Sequence, residues 1–444
     1  MKICAYVQEA YAKVNYKNEC METRQFVGLR VIVDCLERAG YEVEYAGAAT
    51  VHNYDVVLVS LTSDCDWWSF IAERTKWQPG NYKVVIGGAG LLHITPFLPF
   101  GDFFIFGRGE NLIVPLVRGI EQDGGWEHES VACSKTFSPD RIYKIAQVSR
   151  PYPHKIALNT SRDFVEGPIG CNHRCFFCGY TWQRRFVSPD NYYYMQDSLF
   201  GGIAEKERAL LDLHKNLDQV DFSHLRTTSI DGMSERLRRM VNKPITRAVL
   251  LDFLRAMLRY QGKPHQIKLY SIVGYPTETE ADWHEIVDVI GQADRGSALI
   301  DRPWSIVLHC TPFRAMPATP MACEPMSYRN YRGEIGRVLG AGLKGNLIYQ
   351  GRNLWAVESM GTESLPTVIL SAICHRGSSA DTDAIMKVSR SRKFWSASTA
   401  VRVATLERYF DVDTLFGRFS PETLPSRYLR TYAKVEKLWG KPFK

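Results

Sequence analysis

Short apolar runs alternate with helically spaced ones from the first residues onward. Ile3 to Val7 is a compact apolar run, and Phe26, Leu29, Val33 and Leu36 recur at helical spacing up to Gly40, a helix-ending glycine. Tyr41 to Tyr45 alternates, and Val56 to Ser60, Val84 to Ile86 and Phe103 to Phe106 are compact runs bounded by Gly or Ser. Buried strands alternating with helices predict an α/β fold with a doubly wound, Rossmann or flavodoxin-like parallel sheet over residues 1–150. Such sheets bind ligands beyond the C-terminal ends of their strands. The turns there are Ser60-Leu61-Thr62-Ser63, Gly87-Gly88-Ala89-Gly90 and Gly107-Arg108-Gly109-Glu110. Two readings of these turns stay open: Ser60, Thr62, Gly87, Gly88, Gly107 and Gly109 let a ligand approach the backbone, or the glycines simply close tight turns.

Residues 122–155 are polar, contain Gly124-Gly125, Pro151 and Pro153, and read as a linker or small excursion. A second alternating block runs from Ile156 to Gln350, with helices expected over 205–216 and 248–260 and strands over 268–273 and 305–310. Prolines at 312, 317, 320 and 325 mark a loop after the last strand. This gives a second domain over 151–350. From 351 to 444 helical patches mix with arginines and aromatic residues, which predicts a mainly helical basic region.

Apolar residues form 45% of the 444 and charged residues 23%, which is globular composition and excludes a disordered or fibrous chain. The greasiest stretch, Leu91 to Phe106, is broken by Pro96, Pro99, Gly101 and Asp102, so no membrane span is expected. The opening residues turn polar by Gln8 and read as a strand, not a signal peptide. Eight of the eleven cysteines are scattered singly, which points to reduced thiols and a cytoplasmic location. The net charge of +7 sits in the tail: from Ala384 to Lys444 thirteen Lys or Arg face five Asp or Glu, a local +8. Interleaved with Trp395, Tyr409, Tyr428 and Trp439, these cations suit a surface that grips phosphates and stacks bases; a solvated helical cap is the plain alternative.

The remaining three cysteines, Cys171, Cys175 and Cys178, have the spacing C-x3-C-x2-C. Three thiolates on one loop can wrap a metal centre and leave a fourth position vacant. A structural zinc site closes that position with a nearby Cys or His, and His173 is poorly placed to do so. A cubane iron–sulfur cluster with three Cys ligands keeps one iron open. Zinc binding and coincident buried thiols remain the alternatives.

With Phe177 before the third cysteine, the loop resembles the cluster loop of radical S-adenosylmethionine (SAM) enzymes. The resemblance implies a [4Fe-4S] cluster on Cys171, Cys175 and Cys178 whose open iron is chelated by SAM. It also implies reductive cleavage of SAM to a 5′-deoxyadenosyl radical, hydrogen abstraction from an unactivated carbon, and an external flavodoxin- or ferredoxin-type electron donor. Further stretches follow in the family's order. Asp231-Gly232-Met233-Ser234-Glu235 with Met240-Val241-Asn242-Lys243-Pro244 is similar to its second SAM-contacting block, which puts Asp231 beside SAM. Gly274-Tyr275-Pro276-Thr277-Glu278 resembles its fifth strand-to-helix turn, with Gly274 and Glu278 near the adenine. Leu308-His309-Cys310-Thr311-Pro312 followed by Pro317-Ala318-Thr319 is similar to its sixth strand end, with Ala318 where the family has Gly. Tyr194-Met195-Gln196-Asp197 resembles the strand end after the cluster helix. The implied fold is a partial (β/α)6 TIM-type barrel with Asp197, His309 and Tyr275 as catalytic candidates. Other histidines read as packed or solvated.

The front sheet resembles the cobalamin-binding domain that precedes the barrel in one subgroup, its glycine turns lining the nucleotide tail and corrin edge. No histidine precedes His52, so cobalamin without a protein axial ligand and a domain that has lost the cofactor are both open. The expected reaction is methylation, isomerisation or rearrangement, on a nucleobase, nucleotide or nucleic acid. Against the enzyme stand a zinc- or iron–sulfur-stabilised nucleic-acid-binding protein and a redox sensor.

Overall fold

The computed structural model describes residues 1–8, 27–122, 126–159, 162–164, 166, 169–170, 174–183, 187, 227–243, 245–259, 266–294, 305–327, 331–344, 348–349, 352–353, 355–359, 365–420 and 422–425. Six strands, β1 (Ile3–Tyr6), β2 (Val43–Ala46), β3 (Val56–Ser60), β4 (Lys83–Gly87), β5 (Phe103–Ile105) and β6 (Val131–Cys133), form one sheet in the order β2-β1-β3-β4-β5-β6. Side chains alternate across it. Ile3, Ala5, Val56, Leu58 and Val85 pack against helices α1 (Val27–Arg38) and α3 (Ile113–Glu121). Cys4, Tyr6, Val57, Val59 and Ile86 face helix α2 (Asp66–Arg74), where Trp67 stacks on Phe97 at 4.1 Å. Helices on both faces make the sheet doubly wound, and the order places its switch point between β1 and β3.

Two expectations change. The sheet is mixed, because β6 runs antiparallel to β5. The stretch 122–155 is therefore not only a linker: its three-residue run Val131-Ala132-Cys133 covers the sheet edge, too short to stand out as a periodic pattern.

A hairpin of β7 (Ile156–Asn159) and β8 (Arg162–Phe164) follows, then the short helix α4 (Gly179–Gln183). A second sheet is built from β9 (Thr227–Ser229), β10 (Gln266–Val273), β11 (Ser305–Pro312) and β14 (Trp355–Ser359), all parallel, in the order β14-β11-β10-β9; β12 (Ile348–Tyr349) and β13 (Arg352–Asn353) pair separately. Helices α5 (Glu235–Met240), α6 (Arg247–Arg259), α7 (Glu280–Asp294) and α8 (Tyr331–Gly342) lie between and after these strands. One face of β10 and β11 (Ile267, Leu269, Val273, Ile306, Leu308, Cys310) is sealed by Phe253, Ile286, Ile290 and Ile335 from α6, α7 and α8. The opposite face carries Lys268, Tyr270, Val307, His309 and Thr311. The expected helix over 205–216 lies outside the described residues.

Helices α9 (Leu365–Arg376), α10 (Thr382–Arg390), α11 (Arg392–Ser396), α12 (Thr399–Tyr409) and α13 (Val412–Phe416) fold back onto the first sheet, sharing one core with α2. Asp64, in the loop after β3, binds this layer: His375 Nε2 lies 3.0 Å away, Arg314 Nη1 3.4 Å, and the Ser371 hydroxyl donates to the same oxygen. Burial alone would raise the Asp64 carboxyl; His375, Arg314 and Ser371 overcome it and hold the group well below the usual carboxylate range.

Candidate functional site

Of the cysteine triplet, Cys175 and Cys178 are described, and they sit where the second sheet's strands end. Cys178 N–H donates to the Cys175 carbonyl at 3.1 Å, closing a turn, and Phe176 N–H donates to Val241 O at 2.9 Å. The Asn242 side chain donates to the Arg174 carbonyl at 3.1 Å, and Cys175 Sγ lies 3.9 Å from Asn242 O. The cysteine turn is thus docked onto the turn after α5. Cys171 and Asp197 lie outside the described residues. Among the described residues no group of three or more His, Cys, Asp or Glu converges as metal ligands.

Lys243, on that same turn, reaches the Asp231 carboxylate at 2.5 Å, and Ser229 Oγ donates to the other oxygen. Lys243 is 7% exposed and Asp231 15%, so the pair is largely desolvated. The Asp231 carbonyl accepts from the Tyr275 hydroxyl at 2.8 Å. Buried Tyr275 has its hydroxyl pushed well above its ordinary value, first by burial and then by the negative charge that Asp231, Cys175 and Cys178 place around it. Phe177 packs beside it, ring centres 6.2 Å apart. The structure therefore brings Cys175, Cys178, Phe177, Asp231 and Tyr275 together, and adds Lys243. That lysine was legible only as part of a motif, because its role depends on a partner twelve residues away.

Gly274 and Glu278 close the neighbouring turn. The Glu278 carboxylate accepts from Gly274 N at 2.5 Å, Tyr275 N at 3.0 Å and Trp283 Nε1 at 2.8 Å. Burial outweighs these three donors and raises its pKa to about 7. Gly274 has φ of 78°, and a Cβ there would lie 2.6 Å from the Tyr331 hydroxyl, so Tyr331 already fills the space that the glycine leaves. Among the described residues, the non-glycine residues with left-handed φ are Arg174, Asp231, Asn242, Thr277 and Ala318, at 52° to 70°. Each lies in the cysteine turn or at the C-terminal end of the second sheet. Such conformations cost about 1–3 kcal/mol each and gather where the surroundings over-determine the backbone.

His309 lies lower, in mid-strand on β11. It is in register with Tyr270 on β10 and Glu358 on β14, and Tyr270 is in register with Ser229 on β9.

The first sheet carries a cavity of about 160 Å³ at the ends of β3, β4 and β5. Ser60, Thr62, Gly87, Gly88, Gly107 and Gly109 all line it, as do Glu166 and Gln183 from the segments flanking the cysteine turn. Two of the glycines serve the backbone: a Cβ would lie 2.3 Å from Leu61 O at Gly88 (φ 107°) and 2.5 Å from Ala146 O at Gly107 (φ 85°). Arg108 forks onto Glu166 through two 2.7 Å hydrogen bonds and also meets Glu110. Burial opposes the Arg108 charge, but Glu166 and Glu110 raise its pKa further. Among the described residues no histidine lines the cavity. No helix among the described residues is long and apolar enough to cross a membrane.

No family model matches the chain. Over 294 residues it is 21% identical to an uncharacterized protein of Methanocaldococcus jannaschii, a match covering 54% of this chain and 63% of that one, so the chain spans less than two thirds of the relative. Two solved structures of the cobalamin-dependent S-adenosylmethionine radical enzyme OxsB are also similar. The apo form gives 10% identity and a TM-score of 0.25 over 99% of this chain and 61% of that one. The form with aqua-cobalamin and S-adenosylmethionine gives 11% and 0.26, over 99% and 62%. Likeness at that TM-score carries no argument about this chain.

Proposed function

We propose that the chain is a radical SAM enzyme whose cluster is held by Cys171, Cys175 and Cys178. The observation that carries this reading is the docking of the Cys175–Cys178 turn against Asp231, Lys243 and Tyr275 at the C-terminal ends of a parallel sheet. This is the end at which such sheets perform chemistry. The donor set fits: Cys175 and Cys178 share one tight turn, and Gly170 (φ 77°) and Arg174 (φ 52°), both of left-handed backbone, flank Cys171 in sequence. When bound, a cluster of this kind would supply the electron that splits SAM.

The chain's own residues would prepare the pocket. Lys243 fixes the Asp231 carboxylate, and Tyr275 fixes its carbonyl, so this strand end presents a rigid acceptor edge to an amino or hydroxyl group. Phe177 and Tyr275 keep water from the inner side of the turn. An external flavodoxin- or ferredoxin-type protein would deliver the electron. The cavity of the first sheet, facing Gln183 beyond the cysteine turn, is the proposed seat of a cobalamin tail without an axial histidine. Substrates of the nucleobase or nucleotide class, in nucleic acid or free, are favoured by the basic C-terminal layer, where Lys387 lies 5.4 Å and Arg408 6.0 Å from the centre of the exposed Tyr409 ring.

The test is anaerobic reconstitution with iron and sulfide, then dithionite and SAM. Formation of 5′-deoxyadenosine, lost in Cys175→Ala, supports the reading; zinc saturating the thiols with no SAM cleavage overturns it.

A further inference from the structure

The face of the second sheet turned away from its helices carries a continuous polar row, one residue per strand. Ser229, Tyr270, His309 and Glu358 stand on β9, β10, β11 and β14 in mutual register. Neighbouring strands lie about 4.8 Å apart, so the row is about 14 Å wide. Its upper edge meets the site already described, because Ser229 Oγ donates to the Asp231 carboxylate. At the far edge Lys268 Nζ lies 3.2 Å from Glu358 Oε2.

His309 is the anomaly in this row. It is 8% exposed; Nδ1 faces the Glu358 carboxylate at 3.6 Å, and Nε2 is buried without a hydrogen-bond partner. A buried imidazole with an unpaired ring nitrogen is destabilising, and such groups in native proteins mark a missing partner. The row also has an entrance. The Lys268 and Glu358 side chains are 34% and 41% exposed, so the surface opens at their end and closes towards His309.

We propose that this row is the floor of a substrate pocket for a nucleobase or nucleoside, with His309 and Tyr270 as its binding residues. The proposal rests on the radical SAM reading only in calling the ligand a substrate. The charges of Lys268 and Glu358 cancel, so the floor favours a neutral ligand over a phosphate or an ammonium. A neutral imidazole offers one donor and one acceptor; Lys268 donates and Glu358 accepts. The partner must therefore carry both kinds of group on one edge. The Tyr270 ring, centred 4.7 Å from the imidazole, adds an aromatic face for a planar heterocycle. A nucleobase meets all of these demands.

Two measurements on the full-length protein test this, neither needing SAM cleavage. In thermal melts without ligand, His309→Leu raises Tm by about 2–4 °C, because it removes an unpaired ring nitrogen from a buried position. In titrations with adenosine, guanosine, cytidine and uridine, made with saturating SAM to block the Asp231 side, at least one nucleoside binds, and His309→Leu and Tyr270→Ala each weaken it at least tenfold. A fall in Tm for His309→Leu shows that the imidazole stabilises the fold and overturns the proposal. So does the failure of all four nucleosides to bind the parent protein, or binding indifferent to both substitutions. A protein that binds a nucleoside through His309 yet never cleaves SAM refutes the enzyme reading and leaves this one standing.

Discussion

The two sheets end their strands in opposite ways. The first is relaxed: its left-handed residues are glycines (Gly88, Gly107), the arginine at its cavity is forked onto a carboxylate, and two of the cavity's glycines serve the local backbone. The second is strained. Besides the left-handed Gly274, its Arg174, Asp231, Asn242, Thr277 and Ala318 adopt left-handed backbone without being glycine, and His309 Nε2 lies buried without a hydrogen-bond partner. A scaffold that only had to fold would place glycine at such positions. The contrast supports the proposed reading, in which chemistry belongs to the second sheet and a holding role to the first.

The contrast is broken most strongly at the ion pair that fixes the strained end. Lys243→Met leaves the Asp231 carboxylate largely desolvated with no cation and only the Ser229 hydroxyl as side-chain donor, and costs about 3–5 kcal/mol, read from the denaturant midpoint. A loss below about 1 kcal/mol would mean that Asp231 does not need its partner. In the relaxed sheet, Gly88→Ala forces a Cβ against Leu61 O and costs about 3 kcal/mol, measured the same way; its cavity ligand has no part in that loss.

How far these two regions could be read in the sequence differs for the same reason. The glycine turns at 87–90 and 107–110 were legible because special backbone was given to the residue suited to it. Asp231, Tyr275 and the cysteines were visible as motifs, but Lys243 and Glu358 became partners only when α5 and β14 were in place. Ala318, which stands against a glycine of the radical SAM pattern in the sequence resemblance, has φ of 58°, a conformation that favours glycine. The strand β6 was missed because three apolar residues inside a polar stretch carry no period.

Glu278 sharpens the comparison by pH. Burial places its folded value at about 7, above the 4.5 of an ordinary glutamate. An acid raised on folding stabilises at low pH. Its contribution is complete below about 4.5, declines as pH rises towards about 7 and is flat beyond, a fall of at most about 3 kcal/mol. Glu278→Gln removes that decline, which melts at pH 5 and pH 8 will register as a smaller difference between the two. The smallest effect is of opposite sign. Arg174 is exposed and left-handed, so Arg174→Gly stabilises by about 0.5–1 kcal/mol in denaturant titration, while the same exchange at a relaxed exposed position such as Arg392, within helix α11, destabilises.

The central claim is that three cysteines hold a cluster with one iron left for SAM. Electron paramagnetic resonance of the dithionite-reduced, anaerobically reconstituted protein tests it most directly, recorded with and without SAM. The account predicts a [4Fe-4S]+ signal whose g-values move when SAM is added and which disappears in Cys178→Ala. A signal indifferent to SAM, or a protein that takes up no iron, would contradict it.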